Sequence, residues 1–301
     1  MILVAGLTPA WQQIAVLDRL RIGEVNRARE VHWCASGKVL NVGLALTQHG
    51  ASVRTLSLVG SGAAGDAMKR DMADQGVQVR WVDSIARQRV CTTLLDQATG
   101  HTTELVENSA AATDAELAAF ESAFAEEAAN IEHLILTGSL PTGTPSDFYS
   151  TLLSRSRVPA ILDVRGAELS AALPHRPLVV KPNREELAQT VGRELATDEE
   201  VWQAMSDLNA RGAEWVIVTN GPREVFALNK GERHCFMPPP IKVVNPIGCG
   251  DCFTAGLAAA LQRGSTMSDA IQAGIAAAAH NAQQLLPARL NRGRGDHVDS
   301  L

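Results

Sequence analysis

The chain has 301 residues, of which 46% are hydrophobic, 20% are charged and 4% are aromatic, and its formal net charge is −6. A chain of this length and composition can bury a large core, as globular proteins do. The sequence argues against a nucleic-acid partner because it has no Lys/Arg-dense face with interleaved aromatics, and it argues against a membrane partner because no apolar run could span a bilayer.

The first predicted element is a strand in "MILVAGLTPAWQQ", which has neither the basic start nor the sustained apolar run of a signal peptide. Helical patterns then alternate with short β-branched runs, namely "VRTLSLVG", "HLILTGS", "AILDV", "LVVKPN" and "WVIVTNG". Gly50 and Gly76 mark helix ends, and Thr113 with Glu116 has the spacing of a capping box. Strands that are apolar throughout predict an α/β fold, a doubly wound and mostly parallel sheet flanked by helices.

Two segments, 11–33 and 89–107, interrupt this alternation because they have the pattern of strands and turns without a helix. We expect them to pair into a small β-sheet lid over the carboxyl ends of the parallel strands, where ligands of such sheets bind. The remaining residues form the predicted core, made of segments 1–10, 34–88 and 108–301.

The five cysteines do not have the spacing of a disulfide framework or of a zinc site. Cys249 and Cys252 form a C-x-x-C, but no second cysteine or histidine pair lies nearby in the sequence. Reduced thiols in a cytoplasmic protein are therefore expected.

The stretch "NPIGCGD" directly precedes the apolar run "CFTAGLAAAL" and has two interpretations. Asp251 could cap the helix by accepting backbone N–H bonds. Alternatively, the free N–H groups of Gly248, Cys249 and Gly250 and the helix dipole could form an anion site, with Asp251 placed to accept a proton from a hydroxyl. The two interpretations are compatible, because one helix start can be capped by a side chain and also attract an anion.

Four clusters stand in order along the chain: "SGKVLN" (36–41), "GSLPTGTPSDFY" (138–149), "KPNREE" (181–186) and "NPIGCGD" (245–251). Together they resemble the ribokinase-like sugar kinases of the PfkB family, most closely the branch of 1-phosphofructokinases and tagatose-6-phosphate kinases. The resemblance runs from about Leu3 to about Leu286. It implies a ribokinase-like fold and the use of ATP and Mg²⁺.

The resemblance also implies a role for each matching residue, although each alone could be a turn, a helix start or a surface charge. Asp251 corresponds to the catalytic base, beside an anion hole of Gly248, Cys249 and Gly250. Glu186 of the Asn-x-x-Glu motif corresponds to a residue of the magnesium shell. The implied nucleotide contacts are Lys181, Asn183, Thr219, Gly221 and Asn281. The implied substrate-facing residues are Gln12, Gly37, Lys38, Asn41, Arg89 and Gly138.

Three positions depart from the pattern of this branch. Gln12 replaces an aspartate that grips sugar hydroxyls, Val39 replaces a glycine, and Thr93 replaces a lysine. Glutamine can still hydrogen-bond a hydroxyl, but it carries no charge. The phosphoryl-transfer residues are intact, whereas the identity of the acceptor is left open.

The first hypothesis is an ATP- and Mg²⁺-dependent kinase of a ketohexose phosphate, with fructose 1-phosphate or tagatose 6-phosphate as acceptor. The alternatives are a kinase of an unphosphorylated sugar or polyol, and a non-catalytic protein that binds a nucleotide or a sugar phosphate. By analogy with relatives, a homodimer through the lid is expected. We also expect the helix dipole to lower the pKa of the Cys249 thiol.

Overall fold

The computed structural model describes residues 1–290. The strands are, in chain order, β1 (Ile2–Gly6), β2 (Ala10–Leu17), β3 (Glu30–Ser36), β4 (Val53–Ser61), β5 (Val79–Arg87), β6 (Val90–Asp96), β7 (Thr102–Val106), β8 (His133–Thr137), β9 (Ala160–Asp163), β10 (Val179–Val180), β11 (Trp215–Val218), β12 (Val225–Asn229) and β13 (Glu232–Phe236). The α-helices are α1 (Lys38–Gln48), α2 (Ala63–Asp74), α3 (Asp114–Glu127), α4 (Phe148–Ser154), α5 (Gly166–Ala172), α6 (Arg184–Val191), α7 (Asp198–Ala210), α8 (Cys249–Gln262) and α9 (Met267–Ala282).

Within the described range, the central sheet has nine strands in the order β13-β12-β11-β10-β9-β8-β1-β4-β5. The seven strands from β11 to β5 in this order are parallel to one another. At the other edge, β12 pairs antiparallel with β11, and β13 pairs antiparallel with β12. The chain first winds from β1 toward β5 and then from β8 toward β13. Ligand crevices of open α/β sheets form at such a switch point, outside the carboxyl ends of the strands.

Successive residues of the central strands are buried on opposite faces of the sheet. Leu3 and Ala5 of β1 belong to one core with α3 to α7, while Ile2 and Val4 belong to a second core with α1, α2, α8 and α9. This double coverage explains why the strands are apolar throughout instead of alternating, and it confirms the predicted fold class.

The helix ends confirm the local sequence signals. Gly50 and Gly76, which follow α1 and α2, both have φ of 70°. This left-handed conformation suits glycine, which has no Cβ to clash. Thr113 and Glu116 form the reciprocal hydrogen bonds of a capping box at the start of α3.

Among the residues that the structure describes, a second sheet has four strands in the order β3-β2-β6-β7, and these strands come mainly from the two segments predicted to form a lid. Its inner face, with Ile14, Val16 and Leu95, packs against Leu285 and Leu286 of the core. The division into two domains at the predicted boundaries stays a prediction, and the end of the predicted core segment lies outside the described residues.

Across the part of the chain that the structure describes, no helix is both long and apolar enough to cross a membrane.

Candidate active site

A crevice of about 1260 Å³ lies at the carboxyl ends of the central strands, beneath the lid. Single small-molecule sites commonly measure about 300–1,000 Å³, so this crevice has room for a nucleotide and a second small ligand. All the predicted site residues except Asn281 line it. The fold therefore brings together groups that are more than 200 residues apart in sequence.

The start of α8 forms one side of the crevice. Gly248 precedes the helix with φ of 81°, and a Cβ at this position would lie 3.0 Å from Cβ of Pro287, so the turn requires glycine. The first-turn N–H groups of a helix have no intrahelical carbonyl partners and attract anions. This turn is therefore suited to holding a phosphoryl group.

Asp251 is the third residue of α8, and no side chain of residues 1–290 caps this helix. The capping interpretation is therefore wrong. Instead, Oδ2 of Asp251 accepts a hydrogen bond of 2.7 Å from Nδ2 of Asn41. Asn41, expected to face the substrate, orients the predicted base, while its Oδ1 accepts a hydrogen bond from the Ser36 hydroxyl.

The electrostatic surroundings make Asp251 more basic than an ordinary aspartate. Burial and the neighbouring charge of Asp163 raise its pKa, and Lys38, the hydrogen bond from Asn41 and Lys181 offset only part of this increase. A general base works best when its pKa approaches the pH at which it operates. The raised pKa thus favours proton acceptance by this carboxylate.

Sequence analysis missed Asp163, which ends β9 and is 1% exposed. Its Oδ1 lies 2.8 Å from Nζ of Lys38, and its Oδ2 lies 3.2 Å from Nζ of Lys181. The hydroxyl of Thr254 also donates to Oδ2. Burial alone would raise the pKa of Asp163, but the two lysines lower it to about 2. A carboxylate at the end of the apolar run "AILD" was the available signal.

Lys38 lines the crevice, as expected, and bridges two carboxylates. Besides Asp163, its Nζ contacts Oε1 of Glu186 at 3.1 Å. Burial lowers the pKa of Lys38, but the charges of Asp163, Glu186 and Asp251 outweigh burial and raise the pKa overall. We call Lys38, Asp163, Lys181, Glu186 and Asp251 the charged floor.

Glu186 and Asn183 form a capping box at the start of α6. Oδ1 of Asn183 accepts from the Glu186 amide at 2.8 Å, and Oε2 of Glu186 accepts from the Asn183 amide at 2.9 Å. These bonds fix the Glu186 carboxylate at the crevice edge. No cluster of three or more potential metal ligands occurs within residues 1–290. Isolated carboxylate oxygens suit a magnesium ion that keeps most of its water ligands.

Other predicted nucleotide contacts lie beside the anion-hole turn or farther along the crevice. A Cβ on Gly250 would lie 3.6 Å from Nζ of Lys181, so this buried ammonium is adjacent to the start of α8. Thr219 and Gly221 line the crevice just after β11. A cation next to free helix N–H groups provides a second attraction for phosphate.

Asn281 lies behind the anion-hole turn, which corrects its expected place at the nucleotide pocket. It is 1% exposed, and its Nδ2 donates to the carbonyl of Ile247 and to Sγ of Cys249, while its Oδ1 accepts from the Ala288 amide. Asn245, which sequence analysis missed, braces the same turn: its Oδ1 accepts from the Ile247 amide. Asn245 and Asn281 therefore hold the backbone of the anion-hole turn in place.

Cys249 also differs from expectation. Burial raises the pKa of its thiol, although the hydrogen bond from Asn281 partly opposes the increase. The thiol is therefore protonated at neutral pH, and the predicted lowering by the helix dipole is wrong.

The lid contributes the facing side of the crevice, formed by Gln12, Arg89, Cys91, Glu104 and Val106, which we call the lid wall. Nε2 of Gln12 donates a hydrogen bond of 2.7 Å to Oγ1 of Thr93, which lies behind the wall. Two of the three departures from the family pattern are thus partners in one buried contact. The third, Val39, is buried in the core, and a Cβ on Gly6 would lie 2.9 Å from Cβ of Val39.

Arg89 holds the turn between β1 and β2. Its guanidinium donates to the carbonyls of Thr8, Pro9 and Glu107. Gly37 packs on the same turn, with φ of 92° and a Cβ position only 2.9 Å from Cα of Pro9. These contacts place Arg89 in the wall with most of its donors already engaged.

A doubly wound fold with a β-sheet lid, an anion-binding helix start and a basic carboxylate defines a ribokinase-like small-molecule kinase. Residues 1–290 match the family described as pfkB family carbohydrate kinase, and the chain belongs to this family. The predicted family, fold class and enzyme class are thereby confirmed.

Solved structures give the same result. Phosphofructokinase-2 from Escherichia coli in complex with fructose-6-phosphate is 26% identical, with a TM-score of 0.84 over 93% of each chain. A possible 1-phosphofructokinase from Thermotoga maritima is 18% identical, with a TM-score of 0.87 over 95% of this chain and 93% of that one. Ribokinase from Thermotoga maritima is 18% identical, with a TM-score of 0.75 over 96% and 94%. The two more distant likenesses concern the fold alone.

Proposed function

We propose that this protein transfers the γ-phosphoryl group of ATP, with Mg²⁺, to a hydroxyl of a ketohexose-type sugar. The observation that carries the proposal is the Asp251 carboxylate, which has a raised pKa and is oriented by Asn41 within one turn of free helix N–H groups. Phosphoryl transfer depends on aligned reactants and on stabilisation of charge, and this arrangement serves both needs.

In this mechanism Asp251 accepts the proton of the acceptor hydroxyl, which becomes the nucleophile. The amides at Gly248, Cys249 and Gly250 stabilise the negative charge of the transferred phosphoryl group, and Lys181 adds a cation beside them. Bound magnesium would neutralise charge on the nucleotide phosphates, and Glu186 is the residue proposed to hold its water shell. Thr219, Gly221 and Asn183 are proposed to bind the nucleotide.

A ketohexose phosphate, namely fructose 1-phosphate or tagatose 6-phosphate, is the acceptor that the sequence resemblance favours. Arg89 in the lid wall and the likeness to a phosphofructokinase solved with fructose-6-phosphate support it. An unphosphorylated sugar is the second candidate. It is favoured by the neutral Gln12–Thr93 contact and by the engagement of Lys38 with two carboxylates.

We also propose a cytoplasmic homodimer that forms through the lid. Val31, Trp33 and Leu105 are between 45% and 57% exposed on strands of this sheet, and such apolar exposure commonly marks an interface. The phosphofructokinase-2 of Escherichia coli has a tetrameric inhibited form, so assembly occurs among relatives. The free state of all five cysteines is compatible with a reducing compartment.

The test is ADP release with ATP, in the presence of Mg²⁺ or of excess EDTA, on fructose, tagatose, fructose 1-phosphate, fructose 6-phosphate and tagatose 6-phosphate. Metal-dependent turnover of at least one acceptor is expected. Thermal stabilisation by ATP without turnover of any acceptor would contradict the proposal and favour a non-catalytic binding protein.

A further inference from the structure

The side chains of Gln12 and Thr93 form a buried hydrogen bond within the lid. Both side chains are at most 3% exposed, and they join neighbouring strands β2 and β6 across a separation of 81 residues. Nε2 of Gln12 donates to the Thr93 hydroxyl and also to the Gln13 carbonyl, which can only accept, so the amide has a defined orientation. Its Oε1 accepts no hydrogen bond from the described residues, and Gln12 lines the crevice. The oxygen can therefore accept a hydrogen bond from a hydroxyl of a bound molecule.

The rest of the lid wall carries no net positive charge. Its two charged residues are Arg89 and Glu104, and Glu104 lies directly opposite Thr93 in the register of β6 and β7. Arg89 and Glu104 lie close enough for the arginine to influence the ionisation of the carboxylate. Arg165 also lines the crevice, but it does so from the core at the start of α5.

The charged floor has no excess of positive charge either. Its two ammonium groups, Lys38 and Lys181, face three carboxylates, and each lies within 3.2 Å of an oxygen of Asp163. A dianionic phosphate placed against the lid wall would meet one arginine, one carboxylate and a neutral amide. A hydroxyl there would meet a fixed acceptor at Oε1 of Gln12.

We infer that the part of the acceptor facing the lid carries a hydroxyl and no phosphate, and that Gln12, oriented by Thr93, selects it. The natural acceptor class is then an unphosphorylated sugar or polyol. This inference rests on the proposed function, because it concerns the same crevice and the same transfer to a hydroxyl at Asp251.

The test compares kcat/KM for fructose and tagatose with kcat/KM for fructose 1-phosphate, fructose 6-phosphate and tagatose 6-phosphate. It uses the wild-type chain, the double variant Gln12→Asp/Thr93→Lys and a matched control. Thr92 donates to Oε1 of Gln13 at 3.2 Å in a neighbouring contact of the same two residue types, and neither residue lines the crevice. Gln13→Asp/Thr92→Lys is therefore the control.

The wild type and the control should prefer an unphosphorylated sugar by about tenfold or more, because a desolvated dianion without a matching cation binds poorly. In the double variant this ratio should fall by at least about tenfold, because the two substitutions restore the aspartate and the lysine that the sugar-phosphate branch carries at these positions. A wild-type preference for a phosphorylated sugar would overturn the inference and leave the proposed kinase activity standing. An equal fall of this kcat/KM ratio in the control Gln13→Asp/Thr92→Lys would also overturn the inference. Absence of turnover on every acceptor would refute the proposed function itself.

Discussion

The charged floor and the lid wall face each other across one crevice, but they are built on different principles. In the floor, every ionised side chain except Asp251 contacts an oppositely charged partner, and Asp251 is held by an amide. In the lid wall, the buried polar contact between Gln12 and Thr93 is neutral. Transfer of a phosphoryl group constrains the floor whatever the acceptor is, whereas the wall is proposed to contact only the acceptor. Substitutions in the wall can therefore change selectivity without removing the chemistry.

The largest effect on stability is expected for Asp163→Asn in the floor. The variant leaves the buried ammonium group of Lys181 without its carboxylate and removes one of the two carboxylate partners of the partly exposed Lys38. Loss of one member of a buried ion pair typically costs about 3–5 kcal/mol. Urea unfolding measures this difference. Glu199→Gln, which removes the exposed partner of Arg233, is the control and should have little effect. Equal midpoints for the two variants would show that the floor is not held by these pairs.

The acid stability of the wild type should follow the same contact. Lys38 and Lys181 lower the pKa of Asp163 from 3.8 to about 2 in the folded chain. Its ion pairs with these lysines therefore stabilise the fold above pH 4, and this contribution is lost as the pH falls toward 2. Asp163→Asn should show a smaller change of unfolding midpoint over that range. An unchanged pH dependence in the variant would contradict the assignment.

A smaller effect, on catalysis alone, is expected for Asn41→Ala. Removing the hydrogen bond that lowers the pKa of Asp251 should raise this pKa further. The acid limb of kcat/KM should then move to higher pH by about one unit, as suits the loss of one hydrogen bond to a charged group. The matched control is Asn130→Ala at an exposed position. If the acid limb lay at the same pH in the wild type, Asn41→Ala and Asn130→Ala, Asn41 would have no influence on the pKa of the catalytic base.

The smallest effect concerns Cys249 at the edge of the floor. Because its thiol pKa is raised by burial, alkylation by iodoacetamide should be slow at pH 7 and should accelerate only above pH 9. ATP should protect Cys249 and leave the exposed Cys235 unaffected. Peptide mass spectrometry distinguishes the two sites. Fast modification of Cys249 at pH 7 would mean that the dipole dominates over burial.

The parts of the molecule that depend on local sequence were predictable. The capping box at Thr113, the glycine at Gly248 and the alternation of buried strands with helices each follow from neighbouring residues. The partners of the site residues were not predictable in this way. Lys38 is 125 residues from Asp163 and 148 from Glu186, and no local pattern announces such pairs.

The departures from the family pattern show the same limit. Gln12, Val39 and Thr93 had equal standing in the sequence as reasons to doubt the acceptor. Only the fold separates Val39, which fills the core beside Gly6, from Gln12 in the lid wall and Thr93 behind it, which contact each other. Asn281 was likewise recognisable as a site residue, while its role as a brace depends on the turn at Ile247.

The central claim is that Asp251 removes the proton of an acceptor hydroxyl, and turnover of Asp251→Asn tests it most directly. With Mg²⁺, ATP and the best acceptor of the panel, kcat should fall by about 10²- to 10⁴-fold, the usual contribution of a general base. Thermal stabilisation by ATP should persist, and the exposed Asp66→Asn control should retain wild-type turnover. An Asp251→Asn variant with wild-type kcat would contradict the account.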